Sequence, residues 1–508
     1  MNLVVIHHHL RRGGVTRVIE NHLRALGAGD RPFERAVVLY GGGESDLPLD
    51  AGIGAELVAV EGLGYAELGA PADERLAKTL LATLGEHGCP PDKTLVHWHN
   101  HSLGKNASAT LAAGELARSG YRSLLQIHDF AEDFRPENYT GLRQSLSAPN
   151  AEALAERLYP QSPGIHYAVL NGRDRGTLAA AGVAPERLHL LPNPVAAPPS
   201  VTDAAEAKRA VEQALGIATG TPLMVYPVRG IRRKNLGELL LWSVLIEDAC
   251  FLQTLAPANP VELPSFQGWR ELAEHIGAPC RLGLPRDCGL GFGEVLAAAD
   301  AVLTTSVAEG FGMVFLEAWL AGRMLLGRDL PEITADFRDE GLDLAACYTA
   351  QNVPTAWVDQ QRFVEEVGRL YSGVLAGYGI DSALSTEIED QLSARLAAQS
   401  IDFAALPSSL QRSVIEQAHG DAAARAELLL LNPQCRRPDA DDTSVVAENA
   451  AVVARSFSIE ASAARLVAAY RSVMNSPAHT RLEPLRKPGA VLDGFLSLDR
   501  FHPLRVES

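Results

Sequence analysis

The chain has 508 residues and a formal net charge of −17, and 47% of its residues are hydrophobic. This length predicts two large domains rather than a single core. The acidic balance argues against binding to nucleic acid, because neutralising a phosphate backbone requires a dense basic surface.

Cysteine usage and hydropathy restrict the cellular setting. The six cysteines are scattered without any C-x-x-C pair, which argues against a zinc knuckle and against a disulfide framework. No segment approaches 18 consecutive apolar residues, and the apolar start of the chain is typical of a strand rather than of a signal peptide. We therefore expect a cytoplasmic protein with no transmembrane segment. An amphipathic patch that touches a membrane surface and assembly into a homo-oligomer both stay open.

The first predicted element is a strand followed by a glycine turn and a helix. Residues 2–6 form a run that is apolar from Leu3 onward, as in a parallel strand covered on both faces, and residues 15–26 have helical spacing. Between them, Gly13 and Gly14 allow a ligand to approach the backbone closely. This pattern predicts the opening βα unit of a Rossmann-like domain. The positive charges around the turn are Arg11, Arg12 and Arg17.

Strands and helices continue to alternate through the first part of the chain. The alternation predicts a mostly parallel, doubly wound sheet, in which ligands bind outside the carboxyl ends of the strands. The predicted strands are residues 36–40, 56–60, 94–98, 123–127 and 166–170, and the clearest helices between them are residues 74–87 and 108–119.

Polar side chains follow two of these strands. His97, His99 and His101 share one face if their strand continues, which would form a metal triad. Strands usually end near the first polar residue and no carboxylate partner is evident, so we expect no metal there. Lys105 binds a phosphate or carboxylate of an acceptor in one interpretation and is a solvated loop residue in the other. His128 ends its apolar strand either as a ligand-facing histidine or as a hydrogen-bonded histidine at a strand end.

The second domain follows a linker of residues 196–203, where the composition changes to alanine, proline and serine. Its first strand ends in a basic cluster that runs from Arg229 to Lys234 and precedes a helix. This position suits a diphosphate, because arginine offers a planar fork and lysine a point charge. Arg232 and Arg233 are less specific, since extra loop arginines are often only solvated.

A strand, a glycine turn and a helix start occur together within residues 298–320. Gly310 and Gly312 break the backbone, and the turn presents backbone N–H groups and a helix dipole to an anionic or hydroxyl-rich ligand. Glu309 precedes the turn and Glu317 lies about two turns into the helix. Carboxylates accept hydrogen bonds from vicinal diols, so the pair fits a nucleotide sugar. In the alternative interpretation, Glu309 is a cap-like residue and Glu317 is a solvated helix residue.

The spacing of these two glutamates resembles a family motif. Glu309, Gly310, Phe311, Gly312 and Glu317, continued by Ala321-Gly322, resemble the motif of two glutamates separated by seven residues in the retaining glycosyltransferases of family 4. That family has the GT-B fold, so the resemblance implies an α/β protein with two Rossmann-like doubly wound domains facing a cleft. The resemblance covers residues 1–335 and 445–475.

The resemblance also implies roles for individual residues. Glu309 and the amides of Gly310, Phe311 and Gly312 would hold the transferred sugar, and Glu317 would hold the ribose. The Arg229 to Lys234 spacing matches the phosphate-binding pair of the family. Gly13 and Gly14 would lie beside the donor phosphates and the acceptor, and His128 would face the transferred sugar.

The domain boundaries follow from these patterns. We expect a first domain at residues 1–195, which binds the acceptor, and a second domain at residues 204–475, which binds the donor. Residues 336–442 have helical spacing where the family usually has a short connection, so they are interpreted as a helical insertion. Residues 476–508 are expected to cross back to the first domain.

The resemblance implies a retaining transferase that moves a hexose from a UDP, GDP or ADP donor to a small polar acceptor. The acceptor is expected to be anionic and bound through Arg12, Arg17 and Lys105, while His128, Glu309, Arg229 and Lys234 carry catalysis. No cofactor and no metal ion are expected. A GT-B phosphorylase, a sugar-nucleotide epimerase and a non-catalytic sugar-nucleotide-binding protein remain as alternatives.

Overall fold

A computed structural model describes residues 1–28, 33–47, 53–198, 203–285, 289–380, 386–439, 442–478 and 480–507. The chain forms two compact units. The first contains Met1–Val195 and Arg455–Arg500, and the second contains Ala196–Ala454 and Phe501–Ser508.

The first unit is built on a seven-stranded sheet. Its strand order is β3-β2-β1-β4-β5-β6-β7, and each neighbouring pair is parallel. The strands are β1 (Asn2–His7), β2 (Arg35–Tyr40), β3 (Glu56–Ala59), β4 (Thr94–His99), β5 (Arg122–Ile127), β6 (Ile165–Val169) and β7 (Leu188–Leu190). The first helices are α1 (Gly14–Ala28), α2 (Arg75–Glu86), α3 (Ala107–Arg118), α4 (Pro136–Ser145), α5 (Ala151–Leu158) and α6 (Gly172–Ala181).

The second unit repeats this arrangement around a six-stranded parallel sheet of order β10-β9-β8-β11-β12-β13. The strands are β8 (Leu223–Arg229), β9 (Cys250–Leu255), β10 (Cys280–Leu282), β11 (Ala301–Thr304), β12 (Met324–Arg328) and β13 (Cys347–Tyr348). The helices are α7 (Ala204–Leu215), α8 (Leu236–Leu245), α9 (Leu263–His275), α10 (Phe292–Ala298), α11 (Val314–Leu320) and α12 (Pro331–Asp339).

The expected insertion starts later than the sequence predicted. Because β13 pairs with β12, residues 336–348 belong to the main sheet and its crossover. From here on, the insertion means residues 349–441. It contains an antiparallel strand pair as well as helices. Its elements are β14 (Asn352–Pro354), α13 (Gln360–Gly377), α14 (Thr386–Leu396), β15 (Ser400–Asp402), α15 (Ser408–Gly420) and α16 (Ala422–Leu431).

The last part of the chain differs from the predicted boundaries. It forms α17 (Asp442–Ser456), α18 (Ile459–Asn475) and α19 (Gly489–Phe495). The return to the first unit begins at Arg455 and not at residue 476, because α18 buries Leu466 and Tyr470 in the core that covers β1. The segment Phe501–Ser508, which was expected in the first domain, belongs to the second unit.

Two further expectations concern cysteines and membranes. Five cysteines lie within the described residues, and none of these five forms a disulfide; Cys288 lies outside the described residues. None of the helices described above combines the length and the apolar character needed to cross a bilayer.

Candidate functional site

Most of the predicted site residues lie at the points where the strand order of each sheet reverses. The order changes direction between β1 and β4 in the first unit and between β8 and β11 in the second. In doubly wound sheets, the loops that leave the carboxyl ends of such strands diverge and leave room for a ligand. Gly13 and Gly14 follow β1, Arg229 ends β8, and Glu309 follows β11.

In the second unit, the two predicted loops are bonded to each other. The backbone N–H of Val307 donates to the carbonyl of Arg233 over 2.9 Å. The hydroxyl of Thr305 donates to the carbonyls of Lys234 and Asn235 over 2.9 and 3.1 Å. The loop after β8 and the loop after β11 therefore form one double loop, which we call the donor double loop, residues 229–235 and 304–312.

Glu309 is the centre of the donor double loop. Nη1 of Arg233 donates to its Oε2 over 2.9 Å, and Ser306 Oγ donates to its Oε1 over 2.6 Å. Nζ of Lys234 donates to the same Oε1. Burial opposes ionisation of this carboxyl, but Lys234 and Arg233 outweigh it and lower the pKa of Glu309 to about 2. Glu309 is therefore a carboxylate at any physiological pH.

The three adjacent basic residues after β8 divide between two carboxylates, those of Glu262 and Glu309. They form a 3₁₀ turn, in which successive side chains point about 120° apart. Arg232 bonds to Glu262 and to the carbonyl of Glu507, whereas Arg233 turns to Glu309. The sequence treated Arg233 as a loop residue of low specificity, so its contact with Glu309 was missed.

Arg229 lies at the other end of the same loop. Its side chain is exposed, and among the residues that the structure describes its guanidinium has no ion-pair partner. Arg229, Arg233 and Lys234 carry three positive charges against the single negative charge of Glu309, so the carboxyl end of β8 keeps a net positive charge. That charge can attract an anion.

The glycine turn is set by its own backbone. Gly312 has φ +81°, and a Cβ on it would lie 2.8 Å from Cδ2 of Phe315, so only glycine fits. Phe311 is buried and packs edge-on against Phe337, with ring centroids 5.4 Å apart. Glu317 lies on α11 and is half-buried.

In the first unit, a pocket of about 270 Å³ opens at the carboxyl ends of β1 and β4. Three of the predicted residues line it, namely Arg12, Gly13 and Gly14. Gly14 has an ordinary φ, and a Cβ on it would meet no atom within 4 Å. Protein packing therefore does not require glycine here, whereas a closely bound ligand would. The full lining is His7, His8, His9, Arg12, Gly13, Gly14, Val15, Thr16, Tyr65, Asn100, Leu103 and Asp129.

The predicted acceptor-binding cations are placed differently around this pocket. Lys105 stands over the ring of Tyr65, with Nζ 5.8 Å from the centroid. Burial and the neighbouring Arg135 lower the pKa of Lys105, so a bound anion would relieve an unfavourable charge. Arg17 is exposed on α1 and does not line the pocket. Arg135 pairs with Asp129 at 2.6 Å and was not predicted.

His128 follows β5 and is held by two residues of the β4 loop. Its backbone N–H donates to Oδ1 of Asn100 over 2.8 Å, and its Nε2 shares a hydrogen bond with Nδ1 of His99 over 2.9 Å. Burial lowers the pKa of His128 to about 4, although Asp129 opposes the shift. The ring is therefore neutral near pH 7.

The alternative in which His97, His99 and His101 form a triad is wrong. β4 ends at His99, and Asn100 takes φ 55°, which breaks the alternation. His101 consequently bonds to the carbonyl of Leu158 over 2.8 Å, away from the other two.

A different histidine joins His97 and His99. His22 of α1 lies beside them, and the three offer nitrogens within 4.8 Å of one another. His97 already uses both ring nitrogens, on Tyr470 and Gln126. The rings of His97 and His99 overlap, with centroids 4.3 Å apart at 31°, so their in-plane lone pairs run side by side. In this arrangement His97 therefore has no ring nitrogen left to offer a metal ion.

Two parallel doubly wound sheets, each with its polar loops at a reversal of strand order, define the GT-B fold of glycosyltransferases. The solved structures agree. HepE of Anabaena, in complex with UDP and glucose, superposes with a TM-score of 0.52 over 93% of this chain and 100% of that one, at 13% identity. Sucrose-phosphate synthase of Thermosynechococcus elongatus gives 0.53 over 92% and 98%, also at 13% identity.

At the level of sequence, the chain is similar to mannosylglucosyl-3-phosphoglycerate synthase of Petrotoga mobilis. The two are 26% identical over 428 residues, which cover 81% of this chain and 80% of the relative. No family model matches the chain.

Proposed function

We propose that the protein is a retaining glycosyltransferase of family 4 that moves a hexose from a nucleoside diphosphate sugar to a small anionic acceptor. The observation that carries this proposal is the donor double loop, in which Lys234 and Arg233 hold the buried carboxylate of Glu309 beside the glycine turn.

The proposed roles follow from the charge changes of the reaction. The anomeric carbon becomes cation-like as the diphosphate leaves, so the main task is to stabilise departing negative charge. Arg229 and Lys234 supply the positive charge that stabilises the departing diphosphate. Glu309 and the turn amides orient the hexose, and Glu317 binds the ribose. His128 contacts the transferred sugar as a neutral ring. The departing phosphate accepts the proton of the acceptor, so the reaction uses neither a metal ion nor a separate base.

The acceptor is assigned to the pocket of the first unit. Arg12 lines this pocket and Lys105 stands at its Tyr65 wall, which suits a phosphate or a carboxylate. The name of the Petrotoga relative describes a glycosylated phosphoglycerate, a molecule with both anions. A phosphoglycerate that carries one sugar is therefore the first acceptor to test, with UDP- and GDP-hexoses as donors.

A thermal-shift screen with UDP, GDP, ADP and their sugars tests the donor. A nucleotide at 100 times its Kd adds about 2.7 kcal/mol of stability. The donor that binds is then incubated with anionic acceptors, and NMR of the product shows whether the anomeric configuration is retained. Incubation with donor alone is the control, since an epimer formed without acceptor would favour an epimerase. Absence of any nucleotide-dependent shift would overturn the proposal.

A further inference from the structure

One buried guanidinium joins the insertion to the main sheet of the second unit. Arg328, the last residue of β12, is 2% exposed. Its Nη1 and Nη2 donate to the two oxygens of Asp402 over 2.8 and 2.7 Å. On its other side, Nη2 donates to Oε2 of Glu238 over 2.6 Å, and Nε donates to Oε1 over 3.0 Å. The carbonyl of Thr349 accepts the remaining N–H over 3.0 Å, so all five donors are satisfied.

Each anion of this group is fixed by its own element. Asp402 ends β15 and also accepts the backbone N–H of Gln351 over 3.0 Å, which ties it to the strand pair of the insertion. Glu238 lies in the first turn of α8 and is fully buried. The hydroxyl of Tyr348 donates to Glu238 over 2.8 Å. Glu238 is therefore held by Arg328 and Tyr348 of the main sheet, and the insertion reaches it through Arg328.

Glu238 in turn holds the residue that follows the basic loop. Nδ2 of Asn235 donates to its Oε2 over 2.8 Å. Asn235 has φ 48° and ψ 61°, a left-handed conformation that asparagine adopts at low cost when its side chain bonds locally. This conformation ends the 3₁₀ turn and starts α8 directly after Lys234. A hydrogen-bonded path thus runs from the half-buried Asp402 through Arg328 and Glu238 to the neighbour of Lys234.

A second route connects the insertion to the same loop. The carboxylate of Glu507 accepts the backbone N–H of Ser408 at the start of α15 over 2.9 Å, while the carbonyl of Glu507 accepts a hydrogen bond from Arg232. α15 also packs closely on α8. A Cβ on Gly237 would lie 2.3 Å from Oε1 of the buried Gln411.

We infer that the insertion is a positioning element for the donor double loop, and that Asp402 is its positioning residue, acting through Arg328 and Glu238 on Asn235 and Lys234. The inference rests on the proposed function for the identity of the ligand, but the mechanical link rests on the contacts alone. Its consequence is that the insertion sets donor affinity without touching the donor.

The test compares Asp402→Asn with Asp421→Asn. Asp421 is an exposed residue of the same insertion that caps α16, a task that asparagine performs equally well. Hydrogen exchange of residues 229–235 is measured together with the Kd of whichever of UDP, GDP and ADP binds the wild type. We expect faster exchange at 229–235 and about tenfold weaker binding in Asp402→Asn, because small misplacements of site residues carry such costs. Asp421→Asn should match the wild type.

Asn235→Gly separately tests the hydrogen bond between Asn235 and Glu238. Glycine adopts the left-handed backbone conformation readily, so the variant removes the side chain without straining the turn. It should also exchange faster at 229–235 and bind about tenfold more weakly. The inference is overturned if Asp402→Asn leaves exchange at 229–235 unchanged, if both aspartate variants behave alike, or if Asn235→Gly matches the wild type. If the wild type binds none of the nucleotides, the proposed function fails, and hydrogen exchange alone decides the inference.

Discussion

Nη1 of Arg233 lies 2.9 Å from Oε2 of Glu309, and Glu309 is only 8% exposed. The carboxylate thus pairs with Arg233 and with Lys234, two of the cations that a diphosphate would meet. A donor that binds here must redistribute these contacts, so Glu309 links phosphate binding to the placement of the sugar. The predictions below start from this relationship.

We predict that Glu309→Ala mainly lowers turnover, whereas Glu317→Ala mainly weakens donor binding. Removal of the Glu309 carboxylate also leaves Lys234 buried beside Arg233 without an anion, so this variant should unfold at a lower temperature. Glu309→Gln preserves the shape and separates the loss of charge from the loss of packing. The measurements are donor KM, kcat and the melting temperature. Equal and small effects of the Glu309 and Glu317 variants on KM and kcat would contradict the assigned roles.

Arg229→Ala and Lys234→Ala should each cost on the order of 3 kcal/mol in kcat/KM, as expected when a preorganised donor to developing negative charge is removed. Arg209→Ala is the matched control, because Arg209 is exposed on α7. Steady-state kinetics with the natural donor check this. Near wild-type rates in Arg229→Ala would mean that this arginine is only solvated.

Treatment with EDTA should leave the transfer rate largely intact, since the proposed chemistry uses the departing phosphate and protein cations. The measurement is activity before and after chelation, with the zinc content of the purified protein determined in parallel. His22→Leu serves as a control, because it removes one member of the buried histidine cluster. Loss of activity in EDTA with recovery on addition of zinc would show that the transfer depends on a metal.

The acceptor assignment predicts a selective effect of charge in the first unit. Lys105→Ala and Arg12→Ala should raise KM for phosphorylated or carboxylated acceptors while leaving the donor KM unchanged. Neutral analogues of the same acceptors should be poor substrates of the wild type. The assignment is wrong if neutral acceptors react as well as anionic ones and both variants keep full activity.

A buried carboxyl near His128 predicts a pH dependence of stability. Burial raises the pKa of Glu132 to about 7, although hydrogen bonds from its own backbone and from the hydroxyl of Tyr159 oppose the shift. A carboxyl with a folded pKa above its unfolded value binds more protons in the native state. Its contribution to stability is therefore present below about pH 4, and it is lost as the pH rises towards 7.

Glu132→Gln should remove this dependence. The loss in the wild type is at most on the order of 3 kcal/mol, since one pKa unit corresponds to about 1.4 kcal/mol. Urea unfolding of both proteins at pH 5 and pH 8 measures it. The free energy of unfolding of Glu132→Gln, relative to that of the wild type, should be larger at pH 8 than at pH 5. An equal difference between the two proteins at both pH values would refute this prediction.

Local patterns predicted the parallel sheet of the first unit and individual strands of the second. A strand that is buried on both faces has a short run of apolar residues, and a glycine turn is marked by glycines at fixed positions. β1, the turn at Gly312 and the motif from Glu309 to Glu317 could therefore be predicted from adjacent residues. The alternation of strands and helices then predicts parallel sheets whose loops lie at the carboxyl edges, whereas the order of the strands is seen only in the structure. The GT-B fold itself was implied by the resemblance of the motif from Glu309 to Glu317 to the family 4 glycosyltransferases.

Contacts between distant residues required the tertiary structure. Tyr470 reaches His97 from 373 positions away, and no local pattern reports that α18 returns to the first unit. The choice of Arg233 as a partner of Glu309 depends on how a 3₁₀ turn rotates successive side chains. The ion group of Arg328 joins two strands and a helix, namely β12, β15 and α8. Composition and periodicity describe which face of an element is buried, but the identity of its partner is decided only when the whole chain packs.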